Sequence, residues 1–203
     1  MNQAEIKEFL ESFQDKRDRT IVIVDWGNVE KWDVNLGWKV GIQELAKLVK
    51  HFAYGKEHLR RFYFGEDYGP NEKATTLRTR SGGTLLRAKM NRFQVVSKRV
   101  KYIHDSERAS GFQPKCNLDV EMSVDLIRAV NEYDQAVIFS GDGDLVYAMR
   151  FLHDKYGKDF VVFGARGHTG REIQDAPKEG VVQRILYADD FEYRLNMHRS
   201  MGR

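Results

Sequence analysis

The pattern of hydrophobic and polar positions changes repeatedly between short apolar runs and longer amphipathic stretches. The apolar runs predict buried strands at residues 20–25, 59–65, 135–140 and 159–164, with a shorter strand at 183–187. Apolar residues at helical spacing predict helices at residues 4–14, 41–52, 118–131 and 144–156, with a closing helix from residue 189 onward. Strands separated by helices predict an α/β fold with a doubly wound, mostly parallel sheet.

The middle of the chain is less regular. Residues 66–80 are polar and contain a Gly-Pro pair, which predicts a mobile loop with a short helix around residues 73–79. Residues 93–103 alternate poorly and carry several basic side chains, so we interpret them as an edge strand, where charge discourages unwanted pairing. Residues 104–117 are predicted to form a second loop.

Length and composition narrow the class of protein. The 203 residues fit one domain with a sizeable core, and we expect residues 1–18 to add a helix to a single domain formed by residues 19–203. The N-terminal segment is too charged for a signal peptide, and no apolar run is long enough to cross a bilayer. We therefore expect a cytoplasmic protein with no membrane partner. The lone cysteine, Cys116, excludes an internal disulfide framework and a multi-cysteine zinc site.

Acidic residues follow two of the predicted strands directly. Asp25 ends the first strand, and Ser140, Asp142 and Asp144 come at the turn between the strand at 135–140 and the next helix. If these two strands are neighbours where the strand order reverses, Asp25 and Asp142 converge at the carboxyl edge of the sheet. Two aspartates before a helix are also typical of N-terminal caps, so this turn alone leaves both interpretations open.

A third acid comes from the predicted helix at residues 118–131. A helical projection places Asp119 on the side that faces the sheet, together with a broad apolar arc, and places Asp125 on the opposite, polar side. The apolar arc consists of Val120, Val124, Ile127 and Val130. An unpaired buried carboxylate is costly, so Asp119 needs a partner such as a metal ion, a basic side chain or the helix amides.

Taken together, these acids point to a cation site. Asp25, Asp119, Asp142 and Asp144 form a group of like charges, with Asn28 and Ser140 as neutral hydrogen-bonding neighbours. A hard divalent cation compensates such repulsion most simply, and all-oxygen ligation favours Mg²⁺ or Mn²⁺ over zinc. Such an ion activates water and stabilises charge on a phosphodiester under attack, which is the chemistry of metal-dependent nucleases.

Three sequence blocks, in this order, carry a family resemblance. They are Ile-Val-Ile-Val-Asp25-Trp-Gly-Asn28, then Lys115-Cys-Asn-Leu-Asp119-Val-Glu-Met-Ser-Val-Asp125-Leu, then Ile138-Phe-Ser140-Gly-Asp142-Gly-Asp144-Leu. Over approximately residues 20–164 the chain resembles the NYN domain, the LabA-like branch of the PIN-like ribonuclease superfamily. The resemblance implies a PIN-like three-layer α/β/α sandwich, Mg²⁺ or Mn²⁺ as cofactor, and RNA as the substrate that is hydrolysed.

The resemblance also implies roles for individual residues. Asp25, Asp119, Asp142 and Asp144 match the acids of the metal site, Asn28 matches the polar residue of the first block, and Asp125 matches a further family position. Two positions depart from the usual pattern. Cys116 stands where a glycine is usual, with one extra residue before Asp119, and Trp26 stands where a small residue is common.

Basic residues are concentrated in one region of the chain. This short region contains almost no acid and holds Arg78, Arg80, Arg87, Lys89, Arg92, Lys98, Arg99 and Lys101. Five of these residues are expected to draw the substrate backbone toward the site, and we call them the basic segment: Arg78, Arg80, Arg87, Lys89 and Lys98. Such a local excess predicts contact with the phosphate backbone of a nucleic acid, and a solvated basic face is the alternative.

These observations favour a metal-dependent ribonuclease acting on single-stranded or structured RNA. The departures at Cys116 and Trp26 motivate one alternative, a nucleic-acid-binding or regulatory module that does not cleave. A DNA-directed nuclease is a second alternative, because no residue is identifiable as reading the 2′-hydroxyl group. The apolar content of the terminal helices permits a homodimer.

Overall fold

The computed structural model describes residues 1–13 and 18–198. Within these ranges the strands are β1 (Thr20–Asp25), β2 (Arg60–Glu66), β3 (Gln94–Arg99), β4 (Lys101–His104), β5 (Phe112–Lys115), β6 (Gln135–Phe139), β7 (Asp159–Gly164) and β8 (Arg184–Tyr187). The α-helices are α1 (Gln3–Glu11), α2 (Trp26–Val29), α3 (Asp33–Leu36), α4 (Ile42–Phe52), α5 (Thr79–Met90), α6 (Asp119–Arg128), α7 (Val146–Tyr156), α8 (Arg171–Asp175) and α9 (Glu192–Leu195).

The central sheet has six parallel strands in the order β3-β2-β1-β6-β7-β8. The strand order reverses between β1 and β6, which pair from Thr20 opposite Gln135 to Val24 opposite Phe139. Their carboxyl ends therefore finish side by side, which meets the condition set for the convergence of Asp25 and Asp142. In open parallel sheets this reversal point forms the crevice that holds ligands.

Helices cover both faces of the sheet. In β1, Val22 and Val24 face the layer that contains α1, α4, α5 and α9, while Ile21 and Ile23 face the layer that contains α6, α7 and α8. All four of these side chains are fully buried, as expected for a central strand whose neighbours are parallel. The predicted three-layer α/β/α sandwich is confirmed.

The N-terminal helix packs on the first layer. Ile6 and Leu10 are buried, and the Phe13 ring meets Phe52 of α4 at a centroid distance of 4.9 Å. Residue 14, the last of the predicted helix, lies outside the described residues. The division of the chain into residues 1–18 and 19–203 stays a prediction.

The middle of the chain differs from the sequence prediction. The helix expected around residues 73–79 instead begins at Thr79 and continues as α5 to Met90. The edge strand expected at 93–103 is two strands, since β3 pairs with β2 only as far as Arg99 and the chain then continues as β4 in a separate sheet. β3 does lie at the edge of the main sheet.

The predicted loop at residues 104–117 contains β5, which pairs with β4 as a separate antiparallel hairpin. We refer to β4, β5 and their connection, residues 101–115, as the β-hairpin. The closing helix is also shorter than expected, since α9 ends at Leu195, and residues 199–203 lie outside the described residues.

Helix α6 presents a different face to the sheet from the projected one. Met122 and Leu126 are buried, whereas Val120 is 71% exposed. Asp125, expected on the polar side, accepts a hydrogen bond of 2.8 Å from the hydroxyl of Tyr63 and pairs with Arg61 at 3.1 Å. This contact with β2 fixes the rotation of the helix, so the projected apolar arc was wrong.

None of the helices in the described residues combines the length and the hydropathy needed to cross a bilayer.

Candidate active site

Asp25 stands at the centre of the carboxyl edge. It ends β1, and its Oδ1 accepts a hydrogen bond of 3.2 Å from the backbone N–H of Asn28, which caps helix α2. Its Oδ2 accepts a second bond of 3.0 Å from the hydroxyl of Ser140, the first residue after β6. Asp25 therefore acts as a helix cap and also holds the two neighbouring strand ends together.

Asn28 joins the same two strand ends through its side chain. Its Oδ1 accepts hydrogen bonds from the backbone N–H of Gly141 at 2.9 Å and from the indole N–H of Trp32 at 2.8 Å. Trp32 is fully buried, so this anchor is rigid. The amide of Asn28 thereby positions the turn that carries the next two acids.

The turn after β6 presents Asp142 and Asp144. The N–H of Asp142 donates to Ser140 Oγ at 3.1 Å, and the N–H of Asp144 donates to Asp142 Oδ1 at 3.1 Å. A side chain at Gly141 would collide with the backbone carbonyl of His168, so only glycine fits there. The tight turn directs both carboxylates to the end of the sheet.

Asp119 supplies a carboxylate from the second layer. It is the first residue of α6, and its N–H donates to Asn117 Oδ1 at 2.9 Å. Carboxylate oxygens of Asp119, Asp142 and Asp144 all lie within 4.8 Å of one another. In the described part of the chain, none of these three acids forms an ion pair with a basic side chain. Within residues 1–13 and 18–198, no ion pair therefore offsets the negative charge of the cluster.

Burial and repulsion from neighbouring carboxylates make Asp25 and Asp119 harder to ionise. Burial is the largest cause that raises the pKa of Asp25 to about 6, and Asp119 and Asp142 raise it further. The hydrogen bonds from Ser140 and Asn28 act in the opposite direction. Burial, followed by the charge of Asp142, also raises the pKa of Asp119. A bound cation would reverse this effect by favouring the charged carboxylates.

The acids line an open pocket of about 520 Å³ between the sheet edge and the β-hairpin. Asp25, Asn28, Asp119 and Asp142 form one side. Residues of the β-hairpin and the segment after it form the opposite wall. Asp144 does not line this pocket and borders a separate cleft, between α7 and α8.

The structure thus brings together most of the predicted site residues. Asp25, Asn28, Ser140 and Asp142 are linked by hydrogen bonds, and Asp119 and Asp144 complete the carboxylate group. Asp125 does not join them, because Tyr63 and Arg61 hold it against β2. We assign Asp125 a role in packing α6 onto the sheet.

The basic segment is dispersed over α5 and β3. Three of its members contact acids: Arg78 pairs with Asp67, Arg80 with Glu30, and Lys98 with Glu121. Arg87 and Lys89 are exposed on α5, and Arg87 borders a separate cleft between α4 and α5. The segment therefore does not form one continuous cationic patch at the carboxylates.

The β-hairpin residues that line the pocket were not predicted from the sequence. Ile103, Gln113 and Lys115 line the pocket opposite the carboxylates. The available signal was the pair of extended stretches around Gly111, whose positive φ of 68° suits a turn between strands. These strands contain few apolar residues, so their pairing could not be predicted from the sequence.

The fold and this geometry define a class: an α/β/α sandwich with an acidic site at the reversal point of a parallel sheet. The model of the NYN domain family matches residues 19–183, and the chain belongs to that family. The family, a branch of the PIN-like nuclease superfamily, and the carboxylate cluster are together consistent with nuclease function.

Two known proteins are similar to this chain. The low amplitude and bright protein LabA of Synechococcus elongatus is 33% identical over 84 residues, which cover 41% of this chain and 45% of LabA. The match thus spans less than half of that relative. A protein of unknown function from Vibrio parahaemolyticus has a solved structure with a TM-score of 0.59 and 19% identity, covering 87% of this chain and 96% of that one. This second likeness shows the fold alone.

Proposed function

We propose that this protein is a metal-dependent nuclease that hydrolyses phosphodiester bonds in RNA. The observation that carries the proposal is the group formed by Asp119, Asp142 and Asp144, whose oxygens lie within 4.8 Å of one another without a compensating basic residue in the described chain. Asp25 borders the same pocket and is 3.0 Å from Ser140. A cation bound between these carboxylates would offset their mutual repulsion, which explains why the fold keeps them together.

The donor set fits Mg²⁺ or Mn²⁺. Asp119, Asp142 and Asp144 would hold the ion, with Asp25 beside them, because hard divalent cations prefer carboxylate oxygens. When bound, the ion supplies an activated water and stabilises the charge that develops on the phosphodiester.

The protein contributes position and electrostatics. Ser140 and Asn28 hold the Asp25 carboxylate and the turn carrying Asp142 in fixed orientations through bonds of 2.9 to 3.2 Å. Asp144 would add either a further ligand for the ion or a carboxylate that orients the attacking water. In the basic segment, the exposed Arg87 and Lys89 attract the anionic backbone through long-range charge. Arg78, Arg80 and Lys98 contribute less, because each already pairs with an acid.

Cleavage of a labelled single-stranded RNA by the purified chain tests the proposal. We expect cleavage with Mn²⁺ or Mg²⁺ and none in EDTA, and slower cleavage of a DNA strand of the same sequence. Binding without cleavage under all metal conditions would contradict the nuclease and favour the non-catalytic binding module. Faster cleavage of the DNA strand than of the RNA strand would show that DNA, and not RNA, is the preferred substrate.

A further inference from the structure

The β-hairpin places two lysines side by side at the rim of the acidic pocket. In its antiparallel register Lys101 lies opposite Lys115, and Ile103 lies opposite Gln113. Alternation along each strand puts these four side chains on one face. Three of the four, Ile103, Gln113 and Lys115, line the pocket that contains Asp25, Asp119 and Asp142, together with Pro114 from the other face. Lys101 extends the first face beyond the lining residues.

The opposite face anchors the hairpin to the body of the protein. The hydroxyl of Tyr102 donates to Asp67 Oδ1 at 2.7 Å, and the guanidinium of Arg78 lies 5.9 Å from the centre of the Tyr102 ring. Phe112 packs edge-on against Tyr102 at 6.4 Å. These contacts hold the lysine-bearing face in position over the pocket.

In the part of the chain that the structure describes, no acid forms an ion pair with either of the paired lysines. Like charges directly opposite each other in an antiparallel pair are destabilising. Both side chains are exposed, and among residues 1–13 and 18–198 neither Lys101 nor Lys115 forms an ion pair, in contrast to Lys98, which pairs with Glu121 at 2.8 Å. A polyanion spanning both ammonium groups would relieve this repulsion.

We propose that Lys101 and Lys115 form a clamp for the phosphate backbone of a single nucleic-acid strand as it leaves the carboxylate pocket. This inference rests on the proposed function, because it takes the strand in the pocket as the ligand. Ile103 lies on the same hairpin face and is 48% exposed, offering an apolar surface to a base. The ligand chemistry is the phosphodiester backbone, which RNA and DNA share.

The test compares two charge-matched double variants of the full chain. Lys101→Gln/Lys115→Gln removes the clamp, while Lys50→Gln/Lys56→Gln removes two exposed lysines near the amino end of β2, at the opposite end of the sheet. Affinity is measured in EDTA by fluorescence anisotropy for RNA and DNA strands of one sequence at several salt concentrations. EDTA prevents metal-dependent cleavage during the titration.

We expect the clamp variant to bind both strands about tenfold more weakly, with the slope of log affinity against log salt falling by about 1.4, the value for two single-strand phosphate contacts. The control should change affinity less than twofold. The melting temperature of the clamp variant should equal or exceed that of the wild type, because repulsion is removed.

The outcomes separate the clamp from the nuclease. If Lys101→Gln/Lys115→Gln binds with the affinity and the salt slope of the wild type, the proposed clamp is overturned. The proposal of metal-dependent cleavage is not affected by that result. If the wild type binds nucleic acid but does not cleave it, and the variant loses binding, the clamp is supported and the nuclease is contradicted. A wild-type protein that binds neither strand would overturn the clamp.

Discussion

At the carboxyl edge of the sheet, Asp119, Asp142 and Asp144 lie within 4.8 Å of one another without a basic partner in the described residues. In the basic segment, by contrast, three of the five cations already contact acids, as Arg80 does with Glu30 at 3.3 Å. The two regions are both charged, but only the first concentrates charge of one sign.

This difference separates a binding site from ordinary surface electrostatics. Exposed ion pairs contribute at most about 1 kcal/mol and need no ligand to explain them. Converging carboxylates that are partly buried oppose folding, and the rise in the pKa of Asp119, caused first by burial and then by Asp142, reflects that cost. A site that costs stability without a ligand is a strong candidate for function.

The largest expected effect concerns catalysis. Asp142→Asn should reduce RNA cleavage about a thousandfold, because the loss of one proposed metal ligand removes about 4 kcal/mol of transition-state stabilisation. Single-turnover cleavage rates with Mn²⁺ measure this. Asp154→Asn, an exposed acid on α7, is the matched control and should retain wild-type rates. Equal cleavage rates for the two variants would show that Asp142 is not part of the active site.

A second, smaller effect distinguishes the structural acid of α6 from the clustered ones. Asp125→Ala should lower the free energy of unfolding by about 2 kcal/mol, since it leaves Tyr63 and Arg61 without their partner. Urea denaturation measures this change. Arg128→Ala, an exposed change on the same helix, should cost less than about 0.5 kcal/mol. Unchanged stability with lost Mn²⁺ binding in Asp125→Ala would instead place Asp125 in the metal site.

A third effect has the opposite sign. In EDTA, Asp119→Asn should raise stability by about 1 kcal/mol, which corresponds to a melting temperature about 2–4 °C higher, because one of the repelling charges is removed. Added Mn²⁺ should raise the melting temperature of the wild type more than that of the variant. Calorimetry provides both values. A variant that melts below the wild type in EDTA would show that the Asp119 carboxylate stabilises the fold more than its repulsion from Asp142 and Asp144 destabilises it.

The smallest expected effect lies within the basic segment. Arg87→Gln should weaken RNA binding about threefold, whereas Arg80→Gln should change it less than twofold, because the Arg80 guanidinium is already bonded to Glu30 at 3.3 Å. Anisotropy titrations at low salt resolve this difference. A larger loss in Arg80→Gln would show that the ion pair opens when the strand binds.

The convergence of acids at the sheet edge could be predicted from the sequence for a physical reason. Asp25 and Ser140 each follow a continuous apolar run, and parallel strands end at the same edge of a sheet. The adjacency of β1 and β6 was a condition left open by the sequence, and the observed pairing meets it. The hydrogen bond between these two side chains realises that expectation.

Features that depend on contacts between distant segments could not be predicted in this way. The rotation of α6 is decided by Tyr63, which lies 62 residues before Asp125 in sequence, so a helical projection of α6 alone gives the wrong face. Helix α5 contains Gly82 and Gly83, which weaken its intrinsic signal, and its packing against α4 and β2 compensates.

Binding of a divalent cation by the carboxylate group is the central claim. Mn²⁺ binding, followed by isothermal titration calorimetry on the wild type, Asp119→Asn/Asp142→Asn and the control Asp154→Asn, tests it without requiring a substrate. We expect saturable binding to the wild type and the control and at least a hundredfold weaker binding to the double variant, since its two carboxylates are proposed ligands. Equal binding by all three proteins, or none by the wild type, would contradict the proposed metal centre.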